Sequence, residues 1–68
     1  MKAYELQTGD WFTVDPPDPE YHIRICLPRV GPTIRWGFPT KPDFWSYMGT
    51  HCNVTLVNHL RDRYEQVR

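Results

Sequence analysis

Five short apolar segments, separated by turns that contain glycine or proline, predict a small all-β fold: a curled five-stranded antiparallel sheet or barrel. Three observations carry this. Tyr21, Ile23, Ile25 and Leu27 alternate with His22, Arg24 and Cys26, the period of a half-buried strand. Trp11-Phe12-Thr13-Val14 is a run of aromatic and β-branched residues, which pack well on a pleated surface. Seven prolines and four glycines in 68 residues break the chain into short segments at close spacing.

Taken in order, residues 1–10 read as a lead-in strand anchored by Ala3, Tyr4 and Leu6. A turn at Gln7-Thr8-Gly9-Asp10 ends it, and Gly9 is free to take positive φ. Trp11–Val14 is the first full strand. Asp15-Pro16-Pro17-Asp18-Pro19-Glu20 cannot enter a sheet ladder and reads as an acidic surface loop. The second strand is Tyr21–Leu27, with its Tyr21, Ile23, Ile25 and Leu27 side toward the core. Pro28 ends it and Gly31-Pro32 turns the chain. Thr33–Phe38 then pairs back with Ile34, Trp36 and Phe38 inward.

Pro39-Thr40-Lys41-Pro42-Asp43 interrupts the sheet before a fourth strand, Phe44–Met48, and Val54–Val57 is the fifth. Residues 1–57 thus form one β domain. Residues 58–68 change character: Leu60, Tyr64 and Val67 fall at i, i+4 and i+7 behind Asn58, an acceptable N-cap. A helix this short forms only if its stripe packs on something, so this segment is a short C-terminal amphipathic helix or a frayed tail.

The opening Leu6-Gln7-Thr8-Gly9-Asp10-Trp11-Phe12 resembles the Leu-x-x-Gly-Asp-x-Phe start of many small SH3-like barrel proteins of bacteria and their phages. The outline of the likeness runs over residues 3–57, although about a dozen positions carry it, and the proline-rich insert and the tail depart from it. It implies a small five-stranded antiparallel SH3-like barrel and no activity. An OB-type barrel normally needs more chain and ranks second.

Eight basic and eight acidic residues give a net charge of zero, unlike the basic excess of a protein that coats nucleic acid. The charges are nevertheless segregated. Lys2 against Glu5, Asp10, Asp15, Asp18 and Glu20 leaves residues 1–20 at −4, whereas Arg24, Arg29, Arg35 and Lys41 against Asp43 leave residues 21–45 at +3. The ordinary reading is a solvated mixed surface, and the sharper one is a basic middle that attracts an anionic ligand or an acidic partner. No apolar run has the length that secretion or membrane spanning requires. A cytoplasmic protein without membrane contact is therefore expected, with Cys26 and Cys52 reduced. In that setting Asn53-Val54-Thr55 is a chance match to the glycosylation triplet.

Chemical motifs are scarce. His22, Cys26, His51, Cys52 and His59 lack metal-ligand spacing, so no metal and no cofactor is expected. A cysteine–histidine dyad would need a cleft and an oxyanion hole that so small a scaffold hardly provides, so the chain reads as a non-enzyme. What stands out is residues 35–47, which hold five of the ten aromatic residues. On the fourth strand Phe44, Ser46 and Met48 share one face and Trp45 and Tyr47 the other, and both faces cannot be core. Arg35, Trp45 and Tyr47, with Arg24 beside them, form the expected binding surface, since Trp, Tyr and Arg are the usual anchors of interfaces. The expected occupant is a protein partner. The alternatives are a small anionic metabolite or nucleotide held by a homo-oligomer, or, less favoured, a single nucleic-acid strand.

Overall fold

The computed structural model describes residues 1–15 and 23–67, with the backbone alone for 65–67. Residues 16–20 of the predicted loop 15–20 and the start of the second strand, Tyr21 and His22, lie outside the described residues. Five strands form one antiparallel sheet: β1 (Trp11–Val14), β2 (Arg24–Leu27), β3 (Ile34–Phe38), β4 (Lys41–Met48) and β5 (Val54–Leu56). One α-helix among the described residues, α1 (Asn58–Val67), follows. The strand order is β4-β3-β2-β1-β5, a four-strand meander with the last strand returned beside the first. Closure into a barrel would need β4 to meet β5. They do not pair, and the sheet is open.

One face of the sheet, here the inner face, carries the core. Phe12, Cys26, Ile34, Trp36 and Val54 are buried on it, flanked by Val14, Phe38 and Met48. Ala3 and Leu6 complete the cluster from a 3₁₀ turn, Ala3–Glu5, rather than from the expected lead-in strand. The reason is spacing. Three residues per 3₁₀ turn puts positions 3 and 6 on one side, whereas a strand would send them to opposite faces. Tyr4, expected as an anchor, is half exposed as a result. Arg29 fastens the turn, its guanidinium donating to the carbonyls of Tyr4 (2.6 Å) and Leu6 (3.1 Å).

The second correction concerns β2. Its registers pair Cys26 with Trp36 and Ile25 with Gly37, so Cys26 points inward and Ile25 and Leu27 point outward. The alternation is as read from the sequence, but the sides are exchanged. Cys26 fits where Trp36 leaves little room, and Ile25 lies half buried on the outer face.

The third concerns Lys41–Asp43, which belong to β4 and do not break the sheet. Pro39-Thr40 is the whole turn, Phe38 pairs with Lys41, and Gly37 already pairs with Trp45. Pro42, Asp43 and Phe44 therefore bulge from an edge strand, where the missing N–H of Pro42 costs no ladder bond.

The tail is helical and packs on the outer face, Tyr64 lying 5.9 Å from Trp11. The predicted cap residue works across the chain: Asn58 Oδ1 accepts the Trp11 N–H at 2.7 Å and its Nδ2 donates to Asp10 at 3.1 Å. Arg61 adds a bond to the Gly9 carbonyl at 3.1 Å. Gly9 itself has φ of 94°, as its place in the turn requires.

Candidate functional site

Three of the four sequence-predicted site residues meet on the outer face. Arg35 of β3 is the cross-strand partner of Tyr47, and Trp45 sits opposite Gly37. The missing side chain at Gly37 lets Arg35 fold over the Trp45 ring, with its Cζ 4.7 Å from the centroid. Trp45 and Tyr47 meet edge to face, centroids 5.2 Å apart. Both rings stay open to solvent, Trp45 at 48% and Tyr47 at 51% exposure. Arg35 also reaches the Pro28 carbonyl at 3.4 Å, which helps hold it in place. The result is a short aromatic ridge backed by one cation.

Arg24 is not part of it. The exchange of sides in β2 carries Arg24 inward, where its guanidinium lies 4.0 Å over the Trp36 ring. Trp36 belongs to a second aromatic group with Phe38 and Phe44, the latter two stacked at 5.2 Å. Phe44 is thus on the core side, as its alternation with Trp45 implied, yet at the edge of the sheet it remains half exposed. The basic middle does not converge on one spot either. Arg29 serves the 3₁₀ turn, Arg24 covers Trp36, Arg35 covers Trp45, and Lys41 lies 5.8 Å from the Phe38 ring.

Sequence reasoning missed a groove of about 480 Å³ on the outer face between α1 and the β3–β4 turn. Trp11, Tyr64, Pro39 and Lys41 line it. A signal was present: Phe12 must be core in a strand of four residues, so Trp11 has to face the other way, toward the apolar stripe of the tail.

No group of three or more His, Cys, Asp or Glu side chains comes together among the described residues. Nor is any helix there long and apolar enough to cross a membrane. The two thiols are free and differ sharply in setting. Burial pushes the Cys26 thiol above its ordinary value of 9.0, against a smaller lowering by Arg29 and with a further small rise from Asp10. This is the reverse of what a nucleophilic thiolate needs.

In the native protein a thiol reagent is therefore expected to modify Cys52 at once. Cys26 should react roughly a hundredfold or more slowly, since it waits for an opening that costs about 3 kcal/mol. Equal rates before urea is added would contradict the buried position. Because the folded value is raised, the thiol's contribution to stability is complete below about pH 9 and is lost as pH climbs through the folded value. Cys26→Ala should blunt that alkaline loss.

No family model matches the chain, and no curated protein or solved structure does so either.

Proposed function

We propose that this chain is a non-catalytic binding protein that docks on another protein through Arg35, Trp45 and Tyr47. The observation that carries the proposal is the exposed ridge: two half-exposed rings in contact, with a guanidinium stacked on one of them. Rigid aromatic side chains of this kind lose little conformational freedom on binding and supply the large contact areas found at interface hot spots. The protonated, buried state of Cys26 supports the non-catalytic side of the reading.

The finer description is an SH3-like barrel serving bacteria or phages as a cytoplasmic inhibitor or adaptor. The barrel rests on the Leu6–Phe12 resemblance, and the strand order is compatible with a small barrel-like fold. The inhibitor or adaptor role rests on analogy with short stand-alone barrels that lack enzymatic motifs, and the cytoplasmic setting on the lack of a long apolar run in the sequence. The metabolite and single-strand readings draw on the same stacked Arg35 and Trp45. They are weaker because Arg24, the second cation they invoke, lies on the other face.

The test is affinity capture from a bacterial lysate with wild type and a Trp45→Ala, Tyr47→Ala pair. The pair is expected to keep its fold within about 1 kcal/mol, since both side chains are largely outside the core. It should lose the captured protein, with roughly 30-fold or greater weakening once the partner is purified. A pair that retains every partner of wild type overturns the proposal. Tight binding to oligo-dT with a steep salt slope would instead assign the surface to nucleic acid.

A further inference from the structure

We infer that β4 is a self-pairing edge: two copies of this chain join antiparallel about Ser46 into one ten-stranded sheet.

An open sheet has two edges, and this chain covers one of them itself. The N-terminal residues run along the free side of β5 and the turn before it. Val54 N–H donates to the Met1 carbonyl (2.8 Å), Ala3 N–H to Cys52 (2.9 Å) and Tyr4 N–H to Thr50 (2.9 Å). Lys2 and Asn53 form an antiparallel bridge. The other edge is β4, the longest strand in the sheet at eight residues, and no described element pairs with its outer side. A row of unpaired N–H and C=O groups on a long strand is a template for another strand.

Proteins that stay monomeric blunt such edges with charge, proline or a bulge. Here all three devices sit at the hairpin end, in Lys41, Pro42, Asp43 and the bulge. Trp45-Ser46-Tyr47-Met48 has none of them: no charge, no proline and no bulge. It regains regular pairing with β3 from Trp45 to Met48, so its outer edge is straight enough to accept a partner.

The occupant that fits is a second copy. A two-fold axis at Ser46 sets Trp45 against Tyr47 of the other copy, Phe44 against Met48, and Ser46 against itself. Aromatic pairs and a sulfur–aromatic pair are favourable neighbours on a sheet. Charges stay apart, because Lys41 and Asp43 of each copy fall beside Gly49–His51 of the other, outside the uncharged stretch. The interface is isologous and closes at two chains. It uses the backbone edge and so goes beyond the proposed partner docking. The Trp45 and Tyr47 rings of both copies would lie side by side on the outer face.

Sedimentation velocity from about 1 to 100 µM tests it, because self-association must follow concentration. Wild type is expected to move from one-chain to two-chain mass across this range. Trp45→Lys with Tyr47→Lys places introduced lysines against each other across the axis and should weaken pairing at least tenfold. Trp45→Lys with Tyr47→Glu places lysine against glutamate in the same register and should restore it. Amide exchange in wild type gives a reading free of substitutions: protection within Phe44–Met48 should rise with concentration.

A wild type that stays monomeric to about 100 µM, with concentration-independent exchange, overturns the inference. A double-lysine variant that pairs as wild type does so too, and failure of the lysine–glutamate pair overturns the register. None of these results bears on lysate capture by the alanine pair, so each proposal can fail alone.

Discussion

Phe12→Ala is expected to leave the protein largely unfolded at 25 °C. Phe12 is fully buried and is, among the described residues, the largest side chain with no exposure at all. It stands at the junction of the fold, paired with Arg24 of β2 on one side and Leu56 of β5 on the other. Ala3 and Leu6 belong to the same buried cluster. Truncating a buried phenylalanine costs about 3–5 kcal/mol, from lost burial and from the cavity that remains. A single core in a chain below 70 residues rarely supplies more than about 3–5 kcal/mol in all. The two magnitudes are equal, so the variant should show no cooperative urea transition by circular dichroism. Phe12→Leu, which keeps most of the volume, should retain one at a lower midpoint. A Phe12→Ala protein melting within a few degrees of wild type would mean that the cluster is not the source of stability.

How far the sequence could be read depended on whether local pattern or partner strands decide the outcome. Trp11–Val14, Ile34–Phe38 and Val54–Leu56 were legible because their residues favour a pleated surface wherever they sit. The β2 alternation was legible too, but which side is inner is set by the register with β3, and Cys26 opposite Trp36 fixes it. That one exchange explains the site result. Arg35 and Arg24 were both read as pointing away from the core, and only Arg35 does. Trp45 and Tyr47 were recoverable because Phe44 and Met48, two apolar neighbours, mark the opposite face of the same strand. The 3₁₀ turn at Ala3–Glu5 is too short to show a period, and its position depends on Arg29, far along the chain. Proline 42 looked like a break because sequence alone does not say that its strand is an edge.

Gly37→Ala should destabilise the fold by about 1–3 kcal/mol and disturb the aromatic ridge as well, through a single atom. Gly37 is buried in β3 at the point where the register with β4 slips. A Cβ there would come within 2.8 Å of the Phe44 carbonyl oxygen and 3.4 Å of Leu27 Cδ1. Leu27 can rotate away, but the carbonyl is backbone and can yield only if the bulge moves. Moving the bulge shifts Phe44 off its stack with Phe38 and carries along Trp45, the direct partner of Gly37. An exposed glycine in an open strand would behave oppositely, since alanine would favour the folded state by limiting the unfolded chain. The sign of the effect therefore reports whether the close approach exists. Chemical denaturation gives the stability loss, and a red-shifted Trp45 emission at low temperature, before unfolding, would show that the ridge has opened. Trp11 and Trp36 should be replaced by phenylalanine in the reference protein so that this signal comes from Trp45 alone. An alanine variant as stable as its reference, with unchanged emission, would remove the steric basis for both the bulge and the placement of Arg35 over Trp45.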